Sequence, residues 1–342
     1  MFQWKLQSYL LKFLPNDRGV SYSIRIFGLL LALSLAAFII SRIMKRRWLM
    51  RLSLGVGVLT LITWGTLYAT RPAWLRIAMK TEVPMPTTSD MKWEMRLPGL
   101  ETAELELRVK DVVVDRMVLV RIDPLRYHLS VHWDTTASRT AEDWQRELGA
   151  AVVVNGSYFG GDDHAPLTPL RLTGKPAGPT SYQSTHGAFV ADGSRVDILD
   201  LKDRDVFQAI GAFPEAMVSY PLLMDGKGEN RAVVSKDWLA SRNFVGIDGE
   251  GRVVLGTTET GFFTLHRLGD FLKASPLGLR TALNFDGGPL VSQVVRAGDF
   301  KRDFHGTAEI SDGSDVLRSF WHAHFEAHWT LPVVLVAVPV AP

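Results

Sequence analysis

The chain has 342 residues, 46% of them hydrophobic, and its 38 Lys and Arg against 36 Asp and Glu give a formal charge of +2. Near charge balance, with no basic stripe interleaved with aromatics, argues against nucleic acid as the main partner. The absence of cysteine excludes a disulfide framework, a thiolate metal site and a cysteine nucleophile, but leaves the compartment open, because exported proteins need not use disulfides.

In chain order, the first predicted elements are two apolar segments, 26–44 and 52–69, within a region 1–80 that reads as a membrane anchor. The second, at about 18 residues, is long enough to cross a bilayer as a helix, whereas the first reaches that length only past Ser41 and Arg42. Between them Arg42, Lys45, Arg46, Arg47 and Arg51 form a short basic loop of the kind retained in the cytoplasm, which puts everything after Ala69 on the other side. Lys5, Lys12, Arg18 and Arg25, and on the far flank Arg71, Arg76 and Lys80, blur that bias. A cleaved signal peptide fits less well, since the apolar region starts late and no small-residue cleavage site follows promptly. The expected location is therefore the inner, cytoplasmic membrane, with lipid bilayer as a partner and the folded domain on the periplasmic or extracellular side.

Residues 81–100 carry Pro, Thr and Ser without apolar periodicity and read as a linker to a domain at 101–342. LELRVK, VVVDRMVLVRI and YHLSVHW then alternate as half-buried strands do. TAEDWQRELG predicts a short helix capped by Thr140 and stopped by Gly149. AAVVVN is a continuous apolar run too short for a helix and suits a buried central strand. Further strands are expected at HGAFVAD, RVDILDL, FVGID, RVVLGTT, ALNFD, PLVSQVV and LPVVLVAVPV, with a hairpin at Gly249-Glu250-Gly251 and a helix over Thr264 to Ala274. The expected fold class is α+β, a mostly antiparallel or mixed sheet with flanking helices, preceded by an N-terminal transmembrane region.

Three places share one grammar, an apolar strand running into polar residues and glycines: Val152 to His164, Trp238 to Asp248 and Ala282 to Gly288. Such strand ends deliver polar side chains to a sheet edge while glycine lets a ligand approach the backbone. Each taken singly is also an ordinary turn sequence.

The order NGSYF, PLRLTGKPAG, HGAFVADG, SYPLLMDGK, SRNFVGIDGEGRVVL and ALNFDGG resembles the phosphodiester glycosidase family, which has exopolysaccharide-associated bacterial members, over roughly Leu105 to Val338. The chain departs from the family pattern at NFDGGPLVS, where Pro289 and Leu290 stand in place of an expected Gly and Ser, and at GTTETGFF after the hairpin. The resemblance implies cleavage of a sugar joined through its anomeric oxygen to a phosphodiester. The departing phosphate monoester is a stable anion, so charge stabilisation matters more than protonation, and a guanidinium fork suits it. Arg242 is the candidate. The oxocarbenium-like transition state calls for a carboxylate, for which Asp286 is best placed.

With these, Asn155 completes the expected catalytic set. Asn155 and Asn284 would hydrogen-bond sugar hydroxyls or an N-acetyl group, and Gly156, Gly287 and Gly288 would open room at the backbone. Ser241, Asp163 and His164 complete the expected substrate-binding set, with Asp162 in the same polar cluster. For each there is a plainer alternative: a turn for Asn155, Asn284 and Asp286, an ion pair for Arg242, a solvated loop for Asp162 to His164. His322, His324, Glu326 and His328 resemble a metal-ligand string without the HExxH order, which leaves a metal-dependent phosphodiesterase as one rival reading. A non-catalytic glycan-binding or polysaccharide-assembly subunit, suggested by Pro289-Leu290, is another. The main reading takes a glycan or sugar-phosphodiester as substrate and expects no cofactor and no metal.

Overall fold

A computed structural model describes residues 22–69, 72–78, 80, 82–161, 163–183, 186–233, 238–310 and 329–340. It divides into two compact units, one of them Met1–Pro72 with Ile310–Trp321, the other Ala73–Glu309 with His322–Pro342.

In the first unit, helices Tyr22–Ile43 and Arg47–Ala69 pack against each other. Their hydroxyls fold back on the helix: Ser41 Oγ donates to Ala37 O at 2.6 Å and Thr60 Oγ1 to Val56 O at 2.8 Å. Leu33, Leu35, Ile40, Leu59, Leu61 and Ile62 are each more than half exposed. Among the described residues, no helix is long and apolar enough to cross a membrane, so the spanning segment expected at 52–69 is not found. Its apolar residues are diluted by Ser53, Thr60, Thr63 and Thr66 and by Gly55, Gly57 and Gly65.

The second unit is built on three large antiparallel sheets, beside a two-stranded pairing of Leu239–Ala240 with Glu309–Ile310. The largest has Leu100–Val109, Val112–Ile122, Val253–Thr258, Asn243–Asp248, Leu279–Asn284 and Leu222–Met224 side by side, with Thr87–Thr88 and Glu94–Leu97 paired to the first of these. The second runs Phe300–His305, Ser292–Ala297, Val152–Asn155, Val333–Pro339, Tyr127–Trp133. The third runs Arg195–Asp200, Gly187–Asp192, Glu215–Ser219, Leu170–Leu172, Lys175–Ala177. Since Thr87–Thr88 and Glu94–Leu97 are sheet strands, much of the expected linker at 81–100 belongs to the folded unit.

Alternation along the strands explains how the sheets meet. Val245, Leu255 and Leu283 of the first sheet, Val152, Val154 and Leu335 of the second, and Phe189 and Met217 of the third share one buried core. Each fully buried side chain of this size stabilises by roughly 1.5–3 kcal/mol. Helix Ala141–Leu148 covers the outer face of the second sheet through Ala141 and Trp144, and helix Val206–Gly211 that of the third through Val206 and Ile210. The first of these helices starts with a full capping box between Thr140 and Asp143 and stops at left-handed Gly149.

Candidate active site

Asn155 ends the middle strand of the second sheet and Asn243 begins a strand in the middle of the first. The two are knotted together. Asn243 Nδ2 donates to Asn155 O at 3.0 Å and to Asn155 Oδ1 at 2.9 Å, and Asn155 Nδ2 donates to Asp286 O at 2.8 Å. Asn155 Oδ1 also accepts from Ser292 N at 3.0 Å. Asp286 N donates to Gly156 O and Phe285 N to Asn243 O, each at 2.9 Å. The strand ALNFD therefore ends at Asn284, and residues 285–287 leave it pinned to both partner strand ends. Asn155 lies 2% exposed, and its side chain is spent on holding the Asp286 main chain.

Arg242 is 4% exposed and held by carbonyls: Nε donates to Phe263 O at 3.1 Å and Nη2 to Trp238 O. It is not locked into a carboxylate ion pair among the described residues. Burial pulls the guanidinium down to about 10, with Tyr158, Glu309 and Asp286 opposing, so it is cationic at neutral pH. Asp286 is half-buried. Burial pushes its carboxyl up to about 7; the Gly287 N–H, donating to Oδ1 at 2.8 Å, holds it down, the Glu309 charge raises it further and Arg242 lowers it. A cation and a carboxyl raised to about 7 thus influence one another beside Gly287 without a direct ion pair among the described residues.

The glycines expected to make room for a ligand make room for protein instead. A β-carbon at Gly156 would stand 2.8 Å from both Met217 Sδ and Val333 Cγ1; at Gly287, 3.0 Å from Ser241 O and 3.4 Å from Arg242 Nη1; at Gly288, 3.1 Å from Glu309 Cδ. Gly288 also has φ +72°, which favours glycine. Gly287 and Gly288 therefore admit the guanidinium on one side and the Glu309 carboxyl on the other.

Beside Asp286 stands an aromatic stack. Tyr158 and Tyr220 lie ring to ring, centroids 4.1 Å apart, and His186 covers Tyr220 at 4.7 Å. Tyr158 donates to Tyr220 O at 3.0 Å, and Asn284 Nδ2 donates to Tyr158 Oη at 2.8 Å and to Tyr220 O at 3.0 Å. Burial raises the Tyr158 and Tyr220 phenols, Asp286 adding to both, and lowers His186. Asn284 is fully buried and serves this stack, while its Oδ1 has no partner among the described residues.

Other expected residues fall elsewhere or do other work. Ser241 Oγ donates to Glu259 O at 2.8 Å and accepts from Thr307 N at 3.0 Å and Ala308 N at 3.1 Å, which makes it a clasp between three segments. Asp163 Oδ1 accepts from Ala165 N at 3.1 Å within its own loop. His164 has φ +55°, packs on Phe159 and offers its carbonyl to Trp133 Nε1 at 3.2 Å. Neither makes a described contact with Asp286 or Arg242. Asp162, His322, His324, Glu326 and His328 lie outside the described residues. Among the described residues, no group of three or more His, Asp or Glu side chains is placed to hold a metal ion.

Sequence reasoning passed over Asn243, Tyr158, Tyr220 and Glu309. The first two lie inside the SRN and NGSYF segments already singled out; Glu309 carried no signal, since only folding brings it to Gly288.

Residues 148–316 match the family model for phosphodiester glycosidase. The chain is similar in structure to the catalytic domain of zebrafish N-acetylglucosamine-1-phosphodiester alpha-N-acetylglucosaminidase, auto-inhibited by its pro-peptide, at TM-score 0.53 and 16% identity, covering 80% of this chain and 92% of that one. A hypothetical protein from Synechocystis is similar at TM-score 0.47 and 13% identity, covering 75% and 69%. No curated protein matches the chain.

Proposed function

Because this chain carries a domain of the phosphodiester glycosidase family, we propose that it is a hydrolase cleaving the glycosidic C–O bond of a sugar-1-phosphodiester, with envelope or exopolysaccharide-type glycans as the substrate class. One observation carries the reading: the Arg242 guanidinium, cationic at neutral pH, and the Asp286 carboxyl meet at Gly287. The guanidinium takes the phosphate charge, which grows as the C–O bond breaks, and so stabilises the transition state more than the bound substrate. Ionised Asp286 attacks the anomeric carbon or takes a proton from water. Glu309 supplies a second carboxyl on the far side of Gly288, and Tyr158 and Tyr220 form an apolar wall for the sugar ring. Pro289 and Leu290 are compatible with this arrangement, since they sit in a short 3-10 turn with Leu290 packed against the cluster under helix Ala141–Leu148.

The test is turnover of a sugar-1-phosphodiester in heavy-oxygen water. Label in the released sugar is expected; label in phosphate would mean phosphoryl chemistry and sink the proposal. Glycan binding by calorimetry without product would favour a binding or assembly subunit. For location we propose the outer face of the cytoplasmic membrane. The apolar surface exposed by the two N-terminal helices supports attachment to a membrane. Release of the protein from membranes by high salt alone would count against it.

A further inference from the structure

A chain of hydrogen bonds runs through the interface of the first two sheets and ends at the reaction centre. Arg302 Nη2 donates to Gln293 Oε1 at 2.5 Å, Gln293 Nε2 to Thr257 Oγ1 at 3.0 Å, and Thr257 Oγ1 to Asn243 Oδ1 at 3.2 Å. Asn243 Nδ2 then donates to Asn155 Oδ1 at 2.9 Å, and Asn155 Nδ2 to Asp286 O at 2.8 Å. Gln293, Thr257 and Asn243 are 0% exposed and Asn155 2%, so water cannot substitute for any link.

The direction of the chain is dictated by groups that have no choice of role. A guanidinium only donates, so Gln293 must turn its oxygen to Arg302 and its nitrogen to Thr257. At the other end the Asp286 carbonyl only accepts and the Ser292 N–H only donates, which fixes both atoms of the Asn155 amide. The Asn155 carbonyl, an acceptor, fixes the nitrogen of Asn243, leaving its oxygen for the Thr257 hydroxyl. The middle hydroxyl, alone free to rotate, is thereby committed from both sides.

We propose that this one-way chain, anchored on Arg302, sets the position of the Asp286 main chain, so that Gln293, Thr257 and Asn243 are positioning residues for the carboxyl at the reaction centre. The proposal rests on the hydrolase reading only for its activity readout. It makes a near-isosteric change far along the chain informative. In Gln293→Glu the introduced carboxylate still accepts from Arg302 but cannot donate, so Thr257 must turn its proton toward it. Asn243 then faces a lone pair with its own oxygen and has to flip, turning that oxygen on the two oxygens of Asn155.

The experiment compares wild type, Gln293→Glu, Thr257→Val and the double variant, all checked for cooperative unfolding. The readouts are the isotope-labelled side-chain amide signals of Asn155 and Asn243 and the kinetics on a sugar-1-phosphodiester. In Gln293→Glu both amide signals move and kcat falls about tenfold or more with KM changed less than about threefold. In the double variant the rate equals that of Thr257→Val alone, because valine cannot relay polarity. Unmoved Asn155 amide signals, amide shifts with an unchanged rate, or losses that multiply in the double variant would each overturn the proposal. If wild type turns over no sugar phosphodiester, the hydrolase reading falls, while the amide signals still decide whether the chain transmits. Should Gln293→Glu fail to fold, Thr257→Val against Thr257→Ser makes the same comparison, with the serine expected to keep wild-type signals and rate.

Discussion

Two aspartates in this domain are driven toward the protonated form by the same force and put to different ends. Asp115, 1% exposed in strand Val112–Ile122, is pushed by burial up to about 8; its Oδ1 accepts from Arg116 N at 2.8 Å, Thr260 N at 2.9 Å and Glu259 N at 3.1 Å. Asp286 reaches about 7 but receives one described main-chain donor, and its neighbours are a guanidinium and a second carboxyl. A raised pKa therefore marks burial in both, and the proposed mechanism gives a chemical role to only one. What separates them is the company: Asp115 ties the Glu259–Thr260 turn to a strand, whereas Asp286 and a held cation both lie beside Gly287.

That contrast can be broken experimentally. The largest effect is expected for Asp286→Asn, which should lower kcat by about a thousandfold by removing the reacting carboxylate. In wild type, kcat/KM should rise as pH passes through about 7, where Asp286 ionises, and Asp115→Asn should leave that limb unmoved. A profile flat from acid to alkaline pH would remove Asp286 from the mechanism. Next comes Arg242→Lys, which keeps a charge but loses the fork; steady-state kinetics should give a drop in kcat/KM of about ten- to a hundredfold. Gly287→Ala, whose methyl would press on Ser241 O and Arg242, should cost about tenfold in kcat/KM by displacing the guanidinium, with a wild-type value counting against that geometry.

A separate effect concerns stability. Because folding raises Asp115 from 3.8 to about 8, the folded chain holds the extra proton between those values. Its contribution is fully present below about pH 4 and is lost as pH rises, by up to about 1.4 kcal/mol per pH unit. Asp115→Asn should match wild type in urea unfolding near pH 4 and exceed it near pH 8. Equal stability at both would show that Asp115 is ionised in the fold.

Local signals were legible wherever they were strong. The Thr140 cap and Gly149 stop, the helix after Thr264, the Gly249-Glu250-Gly251 turn and the buried run ending at Asn155 all stand where periodicity and turn chemistry put them. The linker reading of 81–100 missed two short strands because edge strands carry little alternation. The apolar runs at 26–44 and 52–69 did become helices, but apolarity alone did not make a span among the described residues.

Function-bearing residue types were visible as well, but what several of them touch was not. Asn155 looked like a sugar ligand and is a brace; Gly156 looked like an opening and is packed against Met217 and Val333; Ser241 joins segments. By itself the sequence determined the strands, their caps and turns, and the convergence of polar residues at strand ends, because these depend on neighbours a few positions apart. Only the tertiary structure decided that Glu309 stands at Gly288, that Arg242 is held by carbonyls and that four side chains link Arg302 to the Asp286 carbonyl. Hydrogen-bond partners and desolvation are set by which distant strands pack together, and no local pattern encodes that.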